Sequence, residues 1–290
     1  MFDAYTMFEL VQVALLGLLA GTLGGMLGVG GSVVMIPGLV VVLGRPTGVE
    51  QHLYQAAAMI ANVAVSVPAA LRHRRAGAVQ FEVVRWMLPA ALGCIVLGVM
   101  LSNLPVFSGA DGGVWLGRVL AVFLVYVVVV NVRKLLPIRP AVSGQASGKE
   151  EAAEQAKTTA PRSVLVGSIM GVFAGLMGVG GGAQAVPLQQ ALMRLPLRNC
   201  IANSSAVICF SAALGAVYKN LTLAEHNLPG SGVTLSWETG LVLGLLLAPT
   251  AWLGGRLGAV LTHRLPLRAI RVAFIGLMVV ACWKMAALPI

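Results

Sequence analysis

Gly17-x3-Gly21-x3-Gly25-x2-Gly28-Val29-Gly30-Gly31-x5-Pro37 is written a second time, 150 residues on, as Gly167-x3-Gly171-x3-Gly175-x2-Gly178-Val179-Gly180-Gly181-x5-Pro187. Every glycine and the proline keep the offset without a gap, so the chain is two copies of one unit. Each copy is an apolar segment interrupted by Gly-Val-Gly-Gly. That pattern is expected where a membrane helix breaks and offers backbone groups to a ligand near the bilayer midplane.

Working outward from the motifs, 58% of the 290 residues are hydrophobic and 10% are charged. The mean hydropathy is +0.89. A soluble domain carries roughly a quarter charged residues, so the solvent for this chain is lipid. Predominantly apolar stretches long enough to cross, about 20 residues each, run over 8–28, 51–71, 86–104, 114–132, 163–178, 199–218, 239–261 and 269–288. Two shorter apolar stretches, 32–43 and 183–193, follow the glycine motifs. The N-terminus carries Asp3 and Glu9 but no Lys or Arg before the first span. The basic region of a cleavable signal is therefore missing, and the first helix is expected to be retained. Between the copies, Pro, Ser, Gly, Gln, Lys and Glu replace the aliphatic residues over 137–161, a solvated linker with a helical turn expected near Glu150 to Lys157. Cys94, Cys200, Cys209 and Cys282 are scattered through apolar segments without metal-ligand spacing, and read as small buried hydrophobes. The net charge of +10 comes from basic residues in short loops beside spans, where it sets topology and gives no reason to invoke nucleic acid.

If each motif turns the chain back, every copy makes an odd number of reversals and the second copy starts from the opposite face. Sixteen of the twenty basic residues, including Arg72, Arg74, Arg75, the linker, Arg194 and Arg198, then lie inside. Arg45, Arg118, Lys219 and Lys284 lie outside. Without the reversals, the Arg72 cluster and the linker fall on opposite faces, against the positive-inside rule. The expected fold is an all-α membrane protein of two inverted repeats, each a Gly-rich broken or re-entrant helix followed by three transmembrane helices. Residues 1–136 are the first repeat, 137–161 a cytoplasmic linker and 162–290 the second repeat.

The paired glycine openings, Arg72-His73-Arg74-Arg75-x-Gly77 and Gly254-Gly255-Arg256-Leu257-Gly258 together resemble the sulfite exporter (TauE/SafE) family of membrane permeases. The resemblance covers all but the linker and implies transport of a small sulfur-containing anion, such as sulfite, thiosulfate or an organosulfonate, across the bacterial cytoplasmic membrane. One departure is that Gln184, Gln189 and Gln190 stand where the first copy has Val34, Leu39 and Val40. A site built from both copies is therefore chemically asymmetric.

The motif also suits an anion on physical grounds. A short helix starting at Gly31 or Gly181 leaves its first N–H groups unpaired, and those groups with the helix dipole attract negative charge. The expected substrate-binding set is Gly28, Gly30, Gly31, Ser32, Gln55, Gly178, Gly180, Gly181, Gly182, Gln184, Asn203, Ser204 and Ser205, with Gln55 and Ser205 equivalent in the 150-residue register. Each has a plainer reading: the G-x-x-x-G ladders serve helix packing, the hydroxyls and amides serve interhelical hydrogen bonds, and Arg256 snorkels to headgroups. Asn62, Ser66, Asn103 and Asn131 read as packing or interfacial residues. No carboxylate falls centrally in a span, and Glu50, His52, Glu82 and Glu238 sit at span ends. This argues against strict proton coupling and for passive or potential-driven efflux. The expected function is a carrier that exports the anion, with a channel of the same fold as the alternative. Neither a cofactor nor enzyme activity is expected. The partners are the anion and the bilayer, and the sequence leaves the oligomeric state open.

Overall fold

The computed structural model describes residues 7–43, 50–107, 109–135, 149–226 and 235–262, and beyond them positions 272, 275, 276, 279 and 283. In the first copy, α1 (Met7–Leu27) is followed by the short α2 (Ser32–Leu43), α3 (Glu50–Arg75), α4 (Phe81–Ser102), a 3-10 turn at Pro105–Phe107 and α5 (Gly109–Leu135). In the second, α6 (Lys149–Met177) is followed by the short α7 (Gly182–Leu192), α8 (Leu197–Leu221), a 3-10 turn at Leu223–His226 and α9 (Trp237–Leu261). The described residues form helices and turns with no strand. Among the described residues, six helical segments are long and apolar enough to cross a membrane: Met7–Leu27, Glu50–Arg75, Phe81–Ser102, Thr159–Met177, Leu197–Leu221 and Trp237–Leu261. The expected span 114–132 lies inside α5, and 269–288 falls outside the continuously described residues. Large apolar side chains such as Leu19, Leu97, Phe210, Val217 and Leu245 face outward. In water this would be costly; in lipid it is the required surface.

Helix in the linker stretch extends beyond the single turn expected near Glu150 to Lys157. α6 begins at Lys149, well inside the stretch whose composition marks it as linker. Ala152, Ala153, Glu154, Gln155, Ala156 and Lys157 are strong helix formers, so polar composition and helical backbone coexist there.

Both glycine motifs reverse the chain. After α1, a Cβ on Gly38 would run into the Leu16 side chain, so α2 returns along the helix it follows. After α6, Ser163 Oγ lies 4.0 Å from Met193 Sδ at the far end of α7, which marks the same return. The turns need φ values that other residues resist: +63° and +84° at Gly28 and Gly30, and +71°, +70° and +71° at Gly178, Gly180 and Gly181.

The two ladders of small residues each receive a helix from the other copy. Added Cβ atoms on Gly17, Gly21 and Gly25 would meet the carbonyls of Leu247, Ala251 and Gly255 on α9, while those on Gly167, Gly171 and Gly175 would meet the carbonyls of Met87, Ala91 and Ile95 on α4. Backbone approach this close is what small residues permit in a bilayer. The copies are thus interleaved: α1 runs alongside α9 in the same direction, and α6 alongside α4.

α3 and α8, which correspond in the 150-residue register, pack in opposite directions. His52 near the start of α3 meets Lys219 near the end of α8 at 2.8 Å. Asn199 at the start of α8 donates to the carbonyl of Ala78, just past the end of α3, at 3.0 Å. One end of the bundle therefore gathers Arg72, Arg74, Arg75, Arg194 and Arg198, and the other gathers His52, Lys219 and the 223–226 turn.

Candidate functional site

The two motifs meet halfway along α3, at Asn62. A Cβ on Gly30 would stand 3.1 Å from Asn62 Oδ1, and one on Gly180 would stand 2.6 Å from Asn62 Nδ2. Asn62 is fully buried and engages the first turn of α2 twice. The backbone N–H of Ser32 donates to Asn62 Oδ1 at 3.0 Å, and Asn62 Nδ2 donates to Ser32 Oγ at 2.7 Å. The amide oxygen thereby occupies the place at a helix N-terminus where a ligand oxygen would be favoured. Gly182, which opens α7, packs against the carbonyl of Gly28, and a Cβ on it would lie 2.9 Å from Ile208 Cδ1 of α8. The N-cap of α7, Gly181, brings no capping side chain to that helix start.

Of the residues expected at the site, Gly28, Gly30, Ser32, Gly180 and Gly182 come together here. Gly31 packs on Val65 and Met35, and Gly181 against the Met170 carbonyl of its own preceding helix. Gln55 lies against Gly178, where a Cβ would be 2.8 Å from its own. Gln55 Nε2 reaches the Leu176 carbonyl only at 3.5 Å, while its Oε1 has no partner among the described residues. Gln184 on the first turn of α7 is 3% exposed, and neither end of its amide finds a hydrogen bond among the described residues. Buried unpaired polar groups cost about 1–3 kcal/mol each, and these two glutamines carry that cost among the described residues.

Asn203 and Ser204 are occupied elsewhere. Asn203 Oδ1 accepts from the backbone N–H of Gln80 at 2.8 Å, and its Nδ2 donates to Gln80 Oε1 at 3.3 Å and Gln189 Oε1 at 3.1 Å. Gln189 Nε2 donates to Ser204 Oγ at 2.9 Å. These bonds fasten α7 and α8 to the 77–80 loop, at the edge of a cavity of about 940 Å³ whose lining includes Gln80, Thr159, Arg162 and Arg194. Ser205 Oγ donates at 2.8 Å to the Ile201 carbonyl of its own helix. Arg256 stacks 5.8 Å from the Trp252 ring and shares a second cavity of about 340 Å³ with Arg72 and Arg75 at the arginine end.

Residues 13–285 match the family described as Sulfite exporter TauE/SafE. The chain belongs to that family of membrane transporters. Proteins similar to the chain include the "Probable membrane transporter protein MamO" of Magnetospirillum gryphiswaldense, 30% identical over 97% of this chain and 45% of that protein. The chain thus spans about half the length of the MamO proteins it matches. The "Probable membrane transporter protein YunE" of Bacillus subtilis is 26% identical over 94% of this chain and 96% of its own length. A "Probable membrane transporter protein" of Haemophilus influenzae is 26% identical over 96% and 99%. No solved structure matches the chain.

One cluster in this TauE/SafE transporter was missed by sequence reasoning. Lys219, counted as an external topological charge, is fully buried. Its Nζ donates to His52 Nδ1 at 2.8 Å, Ser102 Oγ at 2.6 Å and Asn103 Oδ1 at 3.2 Å. His52 Nε2 bonds the Phe107 carbonyl at 2.9 Å, so that nitrogen carries the proton and Nδ1 accepts. The His226 ring stacks on His52 at 3.7 Å between centroids, and its Nε2 bonds Asn103 Oδ1 at 3.1 Å. Burial first, and the Lys219 charge second, hold His226 below its ordinary 6.5, at about 4. Asn103, read from the sequence as a packing or interfacial residue, accepts from both Lys219 and His226. The sequence signal available was a cation directly after the predicted span 199–218.

Proposed function

We propose that the chain is a carrier in the bacterial cytoplasmic membrane that exports a small sulfur-containing anion, bound between the two Gly-Val-Gly-Gly motifs. The observation that carries this reading is Asn62, held against Gly30 and Gly180 at once with its carbonyl oxygen on the first N–H of α2. In this reading the anion's oxygens displace that amide and bind the N-terminal N–H groups of α2 and α7, with Gln55 and Gln184 supplying further polar contacts. Neutral donors and two helix dipoles then hold the charge without a buried cation at the site. Asn203, Ser204 and Ser205 flank the route from the arginine-lined cavity toward it. The tight seat of both motifs on Asn62 supports a carrier, whose site closes, over a channel of the same fold.

The same reading has two inverted repeats, residues 1–136 and 162–290, joined by a cytoplasmic segment. The antiparallel packing of α3 on α8 and the return of α2 and α7 along the preceding helices support it. The arginine end is then cytoplasmic.

Sulfite, thiosulfate, sulfate and taurine binding to purified protein tests the site. Asn62→Asp places a carboxylate where the ligand charge belongs, and should weaken anion affinity at least about tenfold, as expected for a like charge at close range. Unchanged affinity in a folded Asn62→Asp variant would remove the anion from this position. Saturable flux, with no single-channel current, is the expected mark of a carrier.

A further inference from the structure

Lys219 sits at the end of the bundle opposite the arginines, and the glycine site does not use it. An ammonium group has three N–H donors, and three acceptors on two other helices face it: His52 Nδ1 on α3, Ser102 Oγ on α4, and Asn103 Oδ1 just past α4. The count fits the charged form. A neutral amine has two donors and a lone pair, so losing the proton leaves one acceptor unserved. The imidazole can instead turn its proton onto Nδ1 and donate to the amine. His52 Nε2 then loses its bond to the Phe107 carbonyl. Either way, release of one proton breaks one contact between helix ends.

We propose that Lys219 and His52 form a binding site for a single proton, and that its occupancy decides whether the ends of α3, α4 and α8 are held together. The released proton goes to water beside the 223–226 turn, where Glu225 is exposed. The titratable groups around the pair are few among the described residues. On α3, Glu50 receives the Tyr54 hydroxyl at 3.3 Å. On the 223–226 turn stand Glu225 and the stacked His226; α9 opens with exposed Glu238, and α1, which runs beside α9, carries Glu9 in its first turn. On α5, Arg118 lies 5.1 Å from the Trp115 ring. No carboxylate lies within salt-bridge distance of Lys219 among the described residues; the one that favours its charged form from farther off is the exposed Glu225. The consequence for transport rests on the carrier reading above: the proton-loaded state keeps this end shut, and the empty state lets it open.

Hydrogen exchange of the protein in lipid nanodiscs, corrected for intrinsic rates, tests the site from about pH 6 to about pH 9, a range in which an imidazole–amine pair can titrate. Protection over 50–56, 99–107 and 215–226 should fall at least about tenfold across a midpoint, the factor expected for one lost bond to a charged donor. Lys219→Met should abolish the midpoint and His52→Gln should move it. Lys219→Arg, which keeps its charge throughout, should stay protected at high pH. Protection that does not titrate in wild type, or that titrates alike in Lys219→Met and His52→Gln, overturns the proposal. Thiosulfate flux into proteoliposomes, measured in parallel, separates the two readings. Titrating protection with no flux of thiosulfate or sulfite overturns the carrier reading and leaves the proton site standing. Flux that ignores pH, with flat protection, does the reverse.

Discussion

Asn62 and Ser32 grip each other reciprocally: the amide oxygen takes the backbone N–H of Ser32 at 3.0 Å and the amide nitrogen gives to its hydroxyl at 2.7 Å. This ties the start of a broken helix in one segment to the middle of α3. Both groups are buried, so cutting either side leaves the other unsatisfied. A double-mutant cycle of Asn62→Ala and Ser32→Ala should show a coupling of about 0.5–3 kcal/mol in unfolding free energy. Additive losses would mean that the pair contributes no mutual stabilisation.

Gly180 and Gly77 share a left-handed backbone, at +70° and +67°, but not a neighbourhood. A Cβ on Gly77 meets nothing within 4 Å, whereas one on Gly180 is 2.6 Å from Asn62 Nδ2. Gly77→Ala should therefore cost only the backbone term, about 1–2 kcal/mol. Gly180→Ala should add about 1–3 kcal/mol of overpacking. Thermal unfolding of the two variants in detergent measures the difference, and equal losses would show that Asn62 yields freely.

Gln184 carries two buried polar atoms without partners. Replacing it by Leu removes their desolvation cost and should leave stability unchanged or raise it by about 1–2 kcal/mol. Anion affinity should fall at the same time, the trade expected of a residue kept for a ligand. A Gln184→Leu variant that is less stable and binds anion normally would make Gln184 a packing residue.

His226 titrates at about 4 in the folded chain against 6.5 ordinarily. The folded state thus binds fewer protons than the unfolded state between these values, so this contribution to stability is intact above pH 6.5 and is lost as pH falls toward 4. His226→Asn, which can still donate toward Asn103, should flatten the decline of the melting temperature over that window. An unaltered slope would assign the acid sensitivity to other groups.

Sided labelling tests the orientation. In a background lacking Cys94, Cys200, Cys209 and Cys282, single cysteines at 74, 150 and 196 should be protected from an impermeant external reagent, and one at 225 should react. Labelling of 74 together with protection of 150 would favour parallel repeats.

The repeat, the lipid environment and the two chain breaks were legible in the sequence because each depends on local facts. Runs of apolar residues set where a helix can cross, and consecutive glycines set where the backbone can take positive φ. The ladders at Gly17, Gly21 and Gly25 and at Gly167, Gly171 and Gly175 announced close packing, though not that each would receive a helix from the other copy. What the polar side chains do was decided only by tertiary structure. Asn62 has Ala212 as its counterpart in the 150-residue register, so the repeat that exposed the motifs hid the residue on which they meet. Lys219 reads along the chain as an interfacial cation, and its burial depends on His52, 167 positions away, and Ser102, 117 positions away. Backbone conformation is set by near neighbours along the chain. Burial and hydrogen-bond pairing are set by neighbours in space, which for these side chains come from other helices.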